Sequence, residues 1–73
     1  DVEQEVLRNI LELERSGGYD ARFGWKMGQV EGLTGGHIAK FLSQGLIRRG
    51  YTSGRHKHFY GNTKEIEERL GRR

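Results

Sequence analysis

The chain of 73 residues contains no cysteine and no proline, and its apolar runs are only two or three residues long. Without cysteine, neither a disulfide nor a thiolate zinc site can stabilise the fold, which excludes zinc fingers and zinc ribbons. Without a long apolar run, we expect no membrane span and no secretory leader. The lack of cysteine also fits a reducing compartment, so we expect an intracellular protein of the cytoplasm or nucleoid.

Catalytic signatures are missing as well. There is no Walker A motif, no GxGxxG motif and no carboxylate pair, and Ser43 has no base partner that the sequence defines. A chain of this length forms one domain, residues 1–73, and rarely shapes a catalytic pocket unaided. We therefore expect neither an enzyme nor a cofactor. The chain begins with Asp1 rather than methionine, which leaves open that it is a fragment of a longer protein.

Acidic residues are almost absent from the middle of the chain. Residues 1–20 carry six acidic and two basic side chains, whereas residues 21–63 carry seven basic side chains and a single acid, Glu31. The formal net charge of +3 therefore hides a strongly basic central region. Such a region attracts polyanions.

Three helices have clear sequence signals. Residues 1–15 show a wide apolar face, with a capping residue at Asp1 and a Ser-Gly-Gly stop at residues 16–18. A second helix is predicted from the Thr34 cap to Gly45, with Ile38, Phe41 and Leu42 on one apolar stripe. A last, short helix is predicted after Asn62.

Residues 19–33 allow two interpretations. Phe23, Met27 and Val30 recur at helical spacing, but glycines recur every four residues between them, and each glycine disfavours a helix by about 1 kcal/mol relative to alanine. Either a glycine stripe lets this helix pack close to another backbone, or only the second half is helical and residues 21–25 are extended. The extended alternative would supply a short third strand.

Residues 46–61 predict a basic β-hairpin. A three-residue loop, 52–54, would place Gly54 where left-handed geometry is needed and would pair Ile47 with Phe59, Arg49 with Lys57 and Tyr51 with Arg55. The alternative is a two-residue loop at Ser53 and Gly54, which would move the side chains of one strand to the opposite face of the hairpin.

Polar and basic side chains of the predicted helix and hairpin are candidates for contacts with DNA. Lysine and glutamine on a helix can donate to base edges in a major groove, while cations on a hairpin can neutralise phosphates and release counterions. The histidines His56 and His58 are two residues apart, but no cysteine or nearby carboxylate completes a metal site, so we expect no metal. The full candidate set is Arg22, Lys26, His37, Lys40, Ser43, Gln44, Arg48, Arg49, Arg55, His56, Lys57 and His58.

The order of these elements resembles the winged helix-turn-helix superfamily. The matching pattern is Leu42-x-x-Gly45-Leu46-Ile47, then the cationic hairpin, then Tyr60-x-x-Thr63 before a helix, and it is similar to regulators of the MarR, PadR and ArsR types. The resemblance implies an α+β fold: a three-helix cluster, a two- to three-stranded β-wing and a short C-terminal helix. It also implies a recognition helix at about 35–45 that enters the major groove, and a wing at about 46–61 that contacts the DNA backbone or minor groove.

We therefore expect double-stranded DNA binding, as a transcription regulator or as the DNA-contacting module of a replication or recombination protein. The alternative is a winged helix that serves as a protein–protein docking module, with the acidic first helix and exposed aromatic residues as its contact surface. A homodimer through the first or last helix stays open, and we expect no membrane partner. The positions of Lys40, Arg49, Arg55 and Lys57 discriminate between these functions, because convergence of these cations on one face favours DNA, whereas scatter favours docking.

Overall fold

The computed structural model describes residues 1–71 and contains three α-helices and a three-stranded antiparallel sheet within that range. The elements follow in the order α1 (Val2–Ser16), β1 (Trp25–Lys26), a 3-10 turn (Met27–Gln29), α2 (Gly35–Ser43), β2 (Ile47–Ser53), β3 (His56–Gly61) and α3 (Thr63–Arg69). The strands lie in the order β1-β3-β2. No helix within residues 1–71 is long and apolar enough to cross a membrane.

Local caps confirm the predicted limits of α1 and the predicted start of α2, but α2 ends at Ser43, before the predicted limit at Gly45. The Asp1 carboxylate accepts a hydrogen bond from the Glu3 amide at 2.9 Å, and Gly17 ends α1 with φ at +69°. The Thr34 hydroxyl accepts from the His37 amide at 3.2 Å at the start of α2. Asn62 precedes α3 but forms no side-chain cap, since its amide donates to the Gly45 carbonyl instead.

The helical interpretation of residues 19–33 is wrong, and the extended alternative is correct only in part. The strand covers Trp25–Lys26 rather than residues 21–25, and the helical part shrinks to the 3-10 turn. Gly24 and Gly32 have φ values of +104° and +85°, which a right-handed helix does not contain. A Cβ at Gly24 would collide with the Phe59 backbone, so this glycine lets β1 approach β3.

The predicted hairpin register is also wrong. Ser53 pairs with His56 around a two-residue loop of Gly54 and Arg55, whereas Arg49 pairs with Phe59 and Ile47 pairs with Gly61. Gly54 does adopt a positive φ of +57°, at the first loop position, where type II′ turns place glycine.

A bulge between Arg49 and Thr52 separates the two parts of the hairpin ladder. Here the Tyr51 amide donates to the Phe23 carbonyl at 3.0 Å, and a Cβ at Gly50 would collide with that same carbonyl oxygen. The bulge therefore forms against a segment that lies 27 residues earlier in the chain.

One core joins the three helices to one side of the sheet. Trp25, Phe41, Ile10 and Ile66 are fully buried at its centre. The Trp25 ring packs against Phe59 with a centroid distance of 5.8 Å, which attaches β1 to the core. We call the side of the sheet that carries Trp25, Ile47 and Phe59 the inner face, and the opposite side the outer face. Buried residues of all three helices belong to the same core cluster as these inner-face side chains.

Candidate nucleic-acid interface

A groove of about 520 Å³ separates α2 from the hairpin. Its floor is mainly apolar, and it is formed by Met27, Ile38, Leu42 and Phe59. Small residues also line the groove: Gly35 and Ala39 in α2, and Gly28 in the 3-10 turn. The remaining residues that line it are all basic: Lys26, Arg49, Arg55, His56 and Lys57. No acidic residue within the described range 1–71 lines it.

The strand geometry explains why cations reach this groove. Arg49 is the cross-strand partner of Phe59, and Lys57 lies two residues before Phe59 on the same strand. Side chains of paired residues, and of residues two apart, share one face of a sheet. Arg49 and Lys57 therefore extend the inner face beyond the core, where α2 no longer covers the hairpin. Arg55 lies in the loop at the end of the same groove.

The cations that line the groove have no acidic partner. Among residues 1–71, none of Lys26, Arg49, Arg55 and Lys57 makes an ion pair. Their charges thus stay uncompensated by the protein and available to an anionic ligand.

The other candidate residues of the hairpin lie on the outer face and are engaged there. The guanidinium of Arg48 stacks over the Tyr60 ring at 4.6 Å. His58 approaches the Tyr51 carbonyl with its Nδ1 at 2.9 Å and lies beside the Phe23 ring.

Arg22 is engaged as well, in the turn before β1. It forms an ion pair with Asp20 at 3.2 Å and lies over the Phe23 ring. The Arg22 hydrogen bond holds the pKa of the Asp20 carboxyl below its usual range, and the same bond raises the pKa of Arg22. This cation is therefore already neutralised locally.

Three of the four candidate residues of α2 make contacts within the protein. The His37 ring stacks on Phe41 at 5.6 Å and places its Nδ1 3.3 Å from the Thr34 amide. The Ser43 hydroxyl donates to the Lys40 carbonyl at 2.7 Å. Gln44 is exposed at the end of the helix and does not line the groove.

Lys40 points away from the groove, towards α1. Its Nζ lies 2.6 Å from the Glu3 carboxylate, which Arg69 also approaches at 3.9 Å. The hydrogen bond from Lys40 holds the pKa of Glu3 below its usual value. The helix side that faces the groove instead carries Gly35, Ile38, Ala39 and Leu42, at the i, i+3, i+4 and i+7 spacing of one helical face.

The structure thus divides the twelve candidates. It brings Lys26, Arg49, Arg55, His56 and Lys57 together around the groove, and it leaves Arg22, His37, Lys40, Ser43, Gln44, Arg48 and His58 outside it. Among Lys40, Arg49, Arg55 and Lys57, which were expected to converge if the ligand is DNA, only Lys40 is elsewhere. The apolar floor was not anticipated, although Ile38 and Leu42 were assigned to one stripe of the helix.

Sequence reasoning also missed Glu14, which supports the base of the hairpin from α1. Its carboxylate accepts hydrogen bonds from Tyr19 Oη at 2.6 Å, from Trp25 Nε1 at 2.8 Å and from the Gly61 amide. Gly61 is essential to this contact, because an added Cβ would lie 2.8 Å from Ile10 Cγ2. The half-buried position of Glu14 is a property of the tertiary structure, so the sequence carried no signal for it.

Metal ligation has no support in the described chain. Within residues 1–71, no group of three or more His, Cys, Asp or Glu side chains could hold a metal ion. His56 lines the groove, whereas His58 Nδ1 lies 2.9 Å from the Tyr51 carbonyl oxygen.

No protein-family model, no curated protein and no solved structure matches this chain.

Proposed function

We propose that this protein binds double-stranded DNA as a small winged helix, with the groove between α2 and the hairpin as the contact surface. The observation that carries the proposal is the set of four unpaired cations, Lys26, Arg49, Arg55 and Lys57, around one groove without an acidic residue. A transcription regulator and the DNA-contacting module of a replication or recombination protein are both consistent with such a surface.

The physical basis is neutralisation of phosphates. A protein that neutralises Z phosphates releases their counterions, so the logarithm of its affinity falls with the logarithm of salt with a slope of about −0.9Z. If all four cations contact phosphates, the slope is about −3.6, and affinity drops about 150-fold between 50 and 200 mM salt. This dependence is a quantitative signature of the proposed interface.

A matched pair of double variants tests the surface. Arg49→Ala with Lys57→Ala removes two cations from the groove, whereas Arg22→Ala with Arg48→Ala removes two cations that already have partners. Both variants have the same net charge. We would measure binding of a mixed-sequence duplex by fluorescence anisotropy at several salt concentrations, after checking by circular dichroism that both variants fold.

The groove variant should lose affinity and flatten the salt slope by about two units, because two phosphate contacts disappear. The control variant, Arg22→Ala with Arg48→Ala, should keep a salt slope within about half a unit of that of the unaltered protein. Equal losses in both variants would mean that only net charge matters and would reject the groove as the site. Absence of binding to any duplex at low salt would reject the function itself.

The apolar floor supports one alternative, docking of an acidic amphipathic peptide from a protein partner. Met27 is 41% exposed, and its side chain with Ile38 and Leu42 offers carbon surface that phosphates do not need. Such a complex should tolerate salt far better than a DNA complex, since burial of apolar surface is not screened. The salt titration of the anisotropy experiment distinguishes the two ligands.

A further inference from the structure

We infer that the groove holds the sugar-phosphate backbone of duplex DNA without reading the order of its bases. The inference rests on the proposed function and narrows it to sequence-tolerant binding. The inference is based on which side chains of α2 line the groove and which lie outside it.

The face of α2 beside the groove carries no side chain that can form a hydrogen bond. It consists of Gly35, Ile38, Ala39 and Leu42. Discrimination among bases in the major groove depends on side-chain donors and acceptors, often in bidentate pairs, and carbon atoms can contact only the thymine methyl group. This face can therefore separate base pairs only weakly.

The polar residues of α2 are directed elsewhere and stabilise the fold. His37 closes the start of its own helix and stacks on Phe41, and Lys40 pairs with Glu3 of α1. The Ser43 hydroxyl is occupied by the Lys40 carbonyl. None of these three side chains lines the groove.

The shape of the groove suits a repeated backbone unit. A Cβ at Gly28 or at Gly35 would meet nothing within 4 Å, so both positions leave open space beside the protein main chain. The exposed Met27 side chain and the half-buried Leu42 can contact deoxyribose rings, while Arg49 and Lys57 contact the phosphates on either side. Phosphates and sugars recur at every step of a duplex and carry no sequence information.

The test is a binding selection on a pool of duplexes with a randomised central segment, performed at low salt with the full chain. Separate anisotropy titrations with A·T-rich, G·C-rich and mixed duplexes complement the selection. We expect affinities within about fivefold of each other, against the thousandfold or greater preference of sequence-specific proteins. We also expect Gln44→Ala and Lys40→Ala to leave this narrow range unchanged.

A variant that adds a base-reading group provides the positive control. Ala39 is exposed and lines the groove, so Ala39→Asn should fold and should widen the range of affinities across the pool. Enrichment of one motif by more than about a hundredfold with the unaltered chain would overturn the inference and leave the proposed function intact. Guanine-dependent binding that disappears in Arg49→Ala would overturn it too. If no duplex binds at low salt, both the inference and the proposed function fail.

Discussion

Both faces of the hairpin carry basic and aromatic residues, but these residues make different contacts on each face. On the inner face, Phe59 is buried and Arg49 and Lys57 have no ion-pair partner among residues 1–71. On the outer face, Tyr51 is half exposed and Arg48 is stacked on Tyr60. Basic composition alone therefore does not define a ligand surface. We propose the groove as the ligand surface because α2 forms its opposite wall and no ion pair among residues 1–71 compensates Arg49 or Lys57.

The aromatic residues of the outer face have a structural explanation. Phe23 and Tyr51 lie 4.9 Å apart between ring centroids, and His58 lies about 6 Å from each. This cluster fastens the turn before β1 to the bulge in β2, where the Tyr51 amide bonds to the Phe23 carbonyl. It stabilises the outer face of the hairpin.

The largest difference between the faces should appear in stability. Phe59→Ala should lower the free energy of unfolding by about 3–5 kcal/mol, because it opens a cavity beneath Trp25. Tyr51→Ala should lower the free energy of unfolding by only about 1 kcal/mol, because Tyr51 is exposed and its removal mainly costs the aromatic contact with Phe23. Urea denaturation of the two variants measures both values. Similar losses would contradict the division into a packed and an open face.

The next largest loss of stability should follow substitution of Glu14, because its carboxylate accepts three hydrogen bonds that link α1 to the base of the hairpin. Glu14→Ala leaves the indole of Trp25 and the amide of Gly61 without their acceptor and should cost about 2–4 kcal/mol. Glu12→Ala, on the exposed side of the same helix, should change stability by less than about 0.5 kcal/mol. Thermal denaturation compares the two variants. Equal melting temperatures would show that the three hydrogen bonds contribute nothing.

Tyr19 should make the stability of the protein fall at alkaline pH. Burial raises the pKa of the Tyr19 hydroxyl from 10.0 to about 12, and its hydrogen bond to Glu14 adds to the increase. Because the folded state holds this proton more tightly, the stabilisation is complete below pH 10 and disappears as pH rises towards 12. Tyr19→Phe should therefore reduce the loss of stability between those pH values. Urea midpoints at pH 9 to 12 test this, with Tyr51→Phe as the exposed control; identical slopes for both variants would refute it.

The smallest effect concerns the ion pair that keeps Lys40 away from the groove. The pKa of Glu3 is lowered, so its carboxylate stabilises the folded state above its ordinary value of 4.5, and this contribution is lost as pH falls below it. Glu3→Gln should lower stability slightly at neutral pH and flatten its decline under acid conditions. Acid titration monitored by circular dichroism measures this, with Glu5→Gln as the control in the same turn. A steeper decline in Glu3→Gln would have the wrong sign.

Much of the helical structure could be predicted because its signals are local. The limits of α1 and α2 follow from Asp1, Gly17 and Thr34, each of which acts within a few residues of the helix end. The basic hairpin was also predicted, including the positive φ of Gly54. The third strand was only one of two alternatives, since the glycines of residues 19–33 fit either.

The errors have a common origin in contacts between distant parts of the chain. The predicted register followed from a three-residue loop at 52–54, which pairs Ile47 with Phe59. In the structure Ile47 lies opposite Gly61, where Ile10 and Glu14 of α1 leave no room for a side chain. The bulge at Gly50 depends on the Phe23 carbonyl. Neither constraint is visible in the sequence of the hairpin alone.

By itself, the sequence determined the basic character of residues 21–63, the caps of the helices and the presence of a hairpin, because each depends on neighbouring residues. Only the tertiary structure decided which cations are available. Lys40 forms an ion pair with Glu3 and Arg48 stacks on Tyr60, so neither side chain lines the groove. Arg49 and Lys57, in the bulged register of the hairpin, do line it. A side chain's charge is fixed by its chemistry, but its compensation depends on which distant groups the fold places beside it.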